Sequence, residues 1–197
     1  MTLILASASP SRAAMLRSAG LEFSVQPARV DESEIKLALR AEGAAPSDAA
    51  MALAELKAQR VSPSADGDFV IAADQMLVCD GRWYDKPESL PAAREQLLAL
   101  RGRTHELVSA VVLARGGGII WRHVDVARMV MRNFSEDFLD AYLAQAGDGV
   151  LSSVGAYQLE GLGVQLFSRI QGDFFTILGL PLLPLLDILR ENRVLRA

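Results

Sequence analysis

The chain opens on Leu3-Ile4-Leu5-Ala6, an apolar run of strand length, and passes straight into Ser7-Ala8-Ser9-Pro10-Ser11-Arg12. A helical pattern through Ala14, Met15 and Ala19 follows and stops at Gly20, so a buried strand turns at once into a helix. Phe23-Ser24-Val25-Gln26 alternates as a half-buried strand, and the acidic segment around Asp31-Glu32 leads into a helix ending near Gly43. Ser47 reads as the N-cap of a further helix over 48–60, with Ala49, Ala52, Leu53 and Leu56 on its apolar side and Lys57 at the margin. A polar loop over 62–68 precedes the strongest buried-strand signal, residues 69–73, which ends on Asp74-Gln75. Residues 76–79 and 82–84 form a hairpin about Asp80-Gly81. Pro91 sits in the first turn of a helix that runs to Arg101 and is stopped by Gly102. Strands over 107–114 and 119–131 flank the triple glycine 116–118, and Ser135 caps a helix over 136–146. The last third is broken by glycines up to a final helix from about Pro181 to Asn192. Strands and helices alternate, and the hairpins forbid an all-parallel arrangement, so the expectation is an α/β fold with a mixed sheet and flanking helices.

At 197 residues with a net charge of −4, the chain is one large domain or two small lobes and offers no basic face for nucleic acid or an anionic membrane. Residues 174–186 are nearly all apolar, but they are too few to span a bilayer and are interrupted by Pro181 and Pro184. No basic stretch followed by an apolar one opens the sequence, so no secretion signal is expected, and the single cysteine, Cys79, fits a reducing compartment. A cytoplasmic protein is expected.

Candidate chemistry begins at the first strand-to-helix turn. Unpaired N–H groups at a helix start attract anions, and Ser7, Ser9, Ser11 and Arg12 add donors suited to phosphate oxygens. Serines before a helix are ordinarily caps, and Asp31-Glu32 or Lys57 taken singly read as solvated charges. Asp74 is harder to dismiss, because an acidic residue directly after a buried strand lies where α/β sites form. His105 reads as a strand-start residue bonded to backbone, and His123 has no matching ligands. Two histidines and one cysteine cannot build a standard zinc site. Phe167, Phe174 and Phe175 read as core, while Tyr157 is open between core and site. Neither G-x-x-x-x-G-K-[ST] nor a G-x-G-x-x-G after a strand is present.

Taken in order, Leu-Ala-Ser-x-Ser-Pro-x-Arg, Asp31-Glu32, Lys57-Ala58, residues 70–74, Lys86-Pro87, Gly102 with His105 and Val108, Gly155-Ala156-Tyr157, Gly161, Gly172-Asp173 and Gly179-Leu180-Pro181 resemble the Maf family of nucleoside triphosphate pyrophosphatases over almost the whole chain. The resemblance implies a two-lobed fold related to the inosine triphosphate pyrophosphatases, with the nucleotide in a groove between lobes. It also implies release of pyrophosphate from a nucleoside triphosphate, a divalent cation such as Mg²⁺ or Mn²⁺, and a homodimer.

Carried over residue by residue, it makes Asp74, Glu32 and Lys57 catalytic, with Glu32 and Asp74 as metal ligands and Asp74 as the base or water-positioning group. Ser7, Ser9, Arg12 and Lys86 would bind phosphate. Ser11, Gln75 and Glu160 differ from the branch that prefers dTTP and UTP and are similar to the branch that acts on 7-methyl-GTP. A carboxylate at 160 suits a cationic, methylated guanine better than an amide does. Two alternatives stand beside this: a dTTP/UTP pyrophosphatase, and a nucleotide-binding regulator of septum formation or division arrest. A pure binder has no use for Glu32 and Asp74 together.

Overall fold

The computed structural model describes residues 2–65 and 67–196. Its chain order is β1 (Leu3–Leu5), α1 (Pro10–Ser18), β2 (Ser24–Val25), α2 (Glu32–Ala41), α3 (Pro46–Val61), β3 (Phe69–Cys79), β4 (Arg82–Tyr84), α4 (Leu90–Leu100), β5 (Thr104–Arg115), β6 (Gly118–Met131), α5 (Glu136–Ala146), β7 (Phe167–Gln171), α6 (Phe174–Ile177) and α7 (Leu182–Glu191). The strands form one seven-stranded sheet in the order β2-β1-β3-β5-β6-β7, with β4 on β3. β1 runs parallel to β2 and β3, whereas β4 on β3 and β7 on β6 are antiparallel, so the sheet is mixed. Among the described residues no helix is long and apolar enough to cross a membrane.

Two compact units share the chain. One holds the residues up to Gln75, Ser109–Asp125 and those from Phe174 on; the other holds Met76–Val108 and Val126–Asp173. In the first, Leu3 and Leu5 of β1, Phe69, Ile71 and Ala73 of β3, and Val111 and Leu113 of β5 pack with Leu16 of α1 and with Leu182, Leu185 and Leu189 of α7. In the second, Arg94 of α4 donates to Asp140 and Glu136 of α5 at 2.7 Å each. Both hairpin turns have two residues at positive φ, Asp80 and Gly81 in one and Gly116 and Gly117 in the other, the turn geometry that matches strand twist and favours glycine.

Five local expectations change. α3 begins at Pro46 with Ala45 rather than Ser47 as its N-cap, because proline's fixed φ and missing N–H suit the first helical position. The segment after α3 is not simply polar surface: Ser62 is buried, and its hydroxyl accepts from the Gly117 N–H at 2.9 Å. The strand does not end at residue 73. β3 continues for 11 residues through Asp74 and Gln75, since ladder hydrogen bonds do not depend on side-chain polarity. β7 is a strand the pattern hides, because all five of its side chains are half-buried or exposed.

His105 is the fifth. Its Nε2 lies 2.7 Å from the Tyr157 hydroxyl instead of on backbone, and both rings pack with Phe167. Tyr157 is therefore core, and burial pushes its phenol up. Phe174 is half exposed, and Phe175 packs against the first unit's core. Cys79 is a buried free thiol whose ionisation burial and Asp80 oppose.

The His105 Nδ1 is buried with no partner among the described residues, and burial lowers the imidazole to about 4. The unfolded chain takes up this proton near pH 6.5 and the folded chain only near 4. The associated stability is therefore complete above pH 6.5 and falls as the pH drops toward 4, by about 3 kcal/mol at the limit. Urea titrations at about pH 7.5 and about pH 5 should show this loss in the wild type and a smaller one in His105→Phe. Equal losses in both proteins refute it.

Candidate active site

Alternation along β3 sends neighbouring residues to opposite faces. Ile71 and Ala73 join the core with α1 and α7, and Gln75 follows them to that side. Asp74 points the other way and meets Lys57 of α3.

The buried face of α3 is Ala49, Ala50, Leu53, Ala54, Lys57, Ala58 and Val61, so Lys57 sits within the buried stripe and not at its margin. Its Nζ lies 2.7 Å from Asp74 Oδ1 and 2.8 Å from Glu32 Oε1. Lys57 and Asp74 are 7% and 3% exposed, so this pair is desolvated, while Glu32 is at the solvent margin. Asp31 caps α2, its carboxylate accepting from Glu34 N, which places Glu32 at the first helical position. Burial alone would raise the Glu32 carboxyl, but the Lys57 ammonium, its hydrogen bond, Lys36 and Arg12 outweigh it, and the net shift is downward.

Asp74 Oδ2 is buried and accepts no hydrogen bond among the described residues. Buried carboxylate oxygens are rarely left so, and this one is oriented by the bond that Oδ1 makes. Two carboxylates converge on one cation, and among the described residues no group of three or more His, Cys, Asp or Glu stands ready for a metal. Such a donor set fits a hard divalent ion that takes one or two carboxylates and completes its shell with phosphate oxygens and water.

The first loop is built around Arg12. Ser9 caps α1, its hydroxyl accepting from the Arg12 N–H. Ser7 Oγ accepts from the Ser9 N–H at 3.2 Å and from Arg12 Nη1 at 3.2 Å, leaving its own hydrogen to donate. The Arg12 guanidinium is buried and gives two further bonds to backbone, Nε to the Gly179 carbonyl and Nη1 to the Ala73 carbonyl, both at 2.8 Å. Nη2 is its nitrogen without a protein acceptor among the described residues. Burial lowers the guanidinium, and the charges of Asp74 and Glu32 oppose that. Ser11 is half-buried in the first turn of α1.

The structure thus brings Ser7, Ser9, Arg12, Glu32, Lys57, Asp74 and Gln75 into one unit, while Lys86 and Glu160 belong to the other. Lys86 is exposed in the loop after β4, and Glu160 is exposed in a turn. Sequence reasoning missed Ser109, Thr176 and Asp125, which bond around Gln75 and α6. For Ser109 and Thr176 a signal was present, a lone hydroxyl in each of two apolar runs.

Residues 2–192 match a family described as Maf-like protein. The chain belongs to the Maf family. A nucleoside triphosphate pyrophosphatase of Paramagnetospirillum magneticum is 59% identical over 96% of this Maf chain and 97% of its own. A protein of the same name from Granulibacter bethesdensis is 54% identical over 99% of both chains. A 7-methyl-GTP pyrophosphatase of Rhizobium meliloti is 52% identical, covering 96% and 95%. A crystal structure of a nucleoside-triphosphatase / dITP/XTP pyrophosphatase from Mycobacterium abscessus aligns over 98% of this chain and 96% of that one, with a TM-score of 0.42 and 16% identity. At that distance it bears on nothing further.

Proposed function

We propose that this Maf protein hydrolyses nucleoside triphosphates between the α- and β-phosphates, releasing pyrophosphate and the monophosphate, with 7-methyl-GTP as a preferred substrate. The observation that carries the reaction is the buried Lys57 between Asp74 and Glu32, with Asp74 Oδ2 left over as an oriented, unpartnered acceptor.

In the reaction, a water oxygen bonds to the α-phosphorus and the bond to the bridging oxygen of the β-phosphate breaks. Pyrophosphate leaves with that electron pair, and the water proton passes to Asp74 Oδ2 and on to solvent. Lys57 fixes Asp74 Oδ1 and places positive charge beside the developing phosphoryl charge. The Ser7–Arg12 loop holds the phosphate chain through the Ser7 hydroxyl and Arg12 Nη2. When bound, Mg²⁺ or Mn²⁺ held by Asp74 and Glu32 would neutralise phosphate charge and acidify water.

The preference rests on Ser11, Gln75 and Glu160 together, and on the names of relatives such as the R. meliloti enzyme. Glu160 carries no ion pair or side-chain hydrogen bond among the described residues, so its carboxylate is available to a cationic base. A panel of natural and 7-methylated triphosphates with Mg²⁺ or Mn²⁺, scored for pyrophosphate against orthophosphate, tests both parts. Pyrophosphate is expected, with 7-methyl-GTP turned over best and Glu160→Gln narrowing its advantage. Orthophosphate refutes the cleavage position. Turnover of dTTP or UTP far above 7-methyl-GTP refutes the preference.

A further inference from the structure

We propose that Thr176, braced by Ser109 and Asp125, is a positioning residue for the phosphate loop, acting on Arg12 through the carbonyl of Gly179. The inference rests on the reading that the Ser7–Arg12 loop holds the triphosphate.

α6 is a single turn of four residues, too short to hold itself in place. Tertiary bonds hold it. The Thr176 carbonyl accepts from Ser109 Oγ at 2.8 Å, from Gln75 Nε2 at 3.1 Å and from the Gly179 N–H at 3.0 Å. Gln75 Nε2 also lies 3.0 Å from the Ile177 carbonyl and 3.0 Å from Ser109 Oγ. The Thr176 hydroxyl donates to Asp125 Oδ2 at 2.8 Å. Thr176 and Ser109 have no exposed surface, so these bonds are not exchanged for water.

Gly179 is the outlet of this network. Its φ of +93° suits glycine, and a Cβ there would meet Arg12 Nη2 at 3.4 Å, so bare backbone comes right up to the guanidinium. Arg12 is anchored at two carbonyls, Ala73 on rigid β3 and Gly179 on the loop. Two anchors fix the plane of a guanidinium and hence the direction of Nη2. With one anchor slack, the plane pivots about the other. Gln75 spends its amide N–H groups on α6 and Ser109, so its influence on the nucleotide runs through this same turn and not through contact with the base.

The test is a kinetic split. Arg12 grips the triphosphate alike in ground and transition states, so slackening it raises KM more than it lowers kcat. Thr176→Val and Ser109→Ala are each expected to raise KM for the triphosphate, and the dissociation constant of inorganic pyrophosphate, by about tenfold. The kcat should stay within about twofold, and Thr176→Ser should restore the wild-type values. Ser109→Ala keeps the test open if Thr176→Val does not fold. An unchanged KM and pyrophosphate affinity, with lower melting temperature and lower kcat, overturns the inference in favour of a purely structural role. A wild type that releases no pyrophosphate from any nucleotide refutes the reaction instead, and pyrophosphate calorimetry on the same variants then still decides the role of Thr176.

Discussion

Asp74→Asn should lower kcat by about 10²–10⁴-fold while nucleotide binding persists. The asparagine carbonyl can accept from Lys57 as Oδ1 does now at 2.7 Å, so the local packing survives. What disappears is the oxygen at the Oδ2 position, buried and without a partner, which becomes an amide nitrogen unable to take a proton or a cation. The loop proposed to hold the phosphates keeps its bonds from Arg12 to Ser7, Ala73 and Gly179. Calorimetry with a non-hydrolysable triphosphate should therefore show binding close to wild type beside near-absent pyrophosphate release. That result separates an enzyme from a nucleotide-binding regulator. Turnover at the wild-type rate would remove Asp74 from the reaction.

Lys57→Met carries the largest expected stability effect. It keeps an unbranched stem of similar length in the buried face of α3 and deletes the ammonium, leaving Asp74 buried without its hydrogen-bonded counter-charge. Removing one partner of a buried ion pair costs about 3–5 kcal/mol, or about 10 °C in melting temperature for a chain of this size. Combining Lys57→Met with Asp74→Asn should recover part of the loss, because the uncompensated charge is gone. Thermal melts of the two single variants and the double variant measure the coupling. Additive losses would show that the two groups do not share the buried contact.

The hydropathy pattern located nearly every element, and the ordered motifs brought Asp74, Lys57 and the first loop together before any coordinates did. What it could not show follows from what a side chain's polarity reveals about its surroundings. A lysine reads as surface because lysines are rarely buried without a partner, and the partner, Asp74, is 17 residues away. The stripe formed by Ala50, Leu53, Ala54, Ala58 and Val61 does enclose position 57, so the burial was readable once the charge was disregarded. Asp74-Gln75 ended the strand on paper because polarity breaks a hydropathy run, although a backbone ladder is indifferent to it. Arg12 was legible as a cation. That two of its donors go to the carbonyls of residues 73 and 179 was not, since backbone acceptors leave no trace in residue type. Ser109 and Thr176 stood out as lone hydroxyls in apolar runs, but the Thr176 carbonyl that Ser109 serves left no such trace.

The alternation along β3 has a consequence for how such a protein can diverge. Positions 74 and 75 are covalent neighbours, yet the first is read by α3 and Glu32 and the second by α6 and Ser109. The sheet separates them as a wall separates two rooms. A lineage can therefore exchange residue 75 and alter the turn that anchors Arg12 while Asp74 keeps its contact with Lys57. One reaction with many preferences is the outcome such a partition favours.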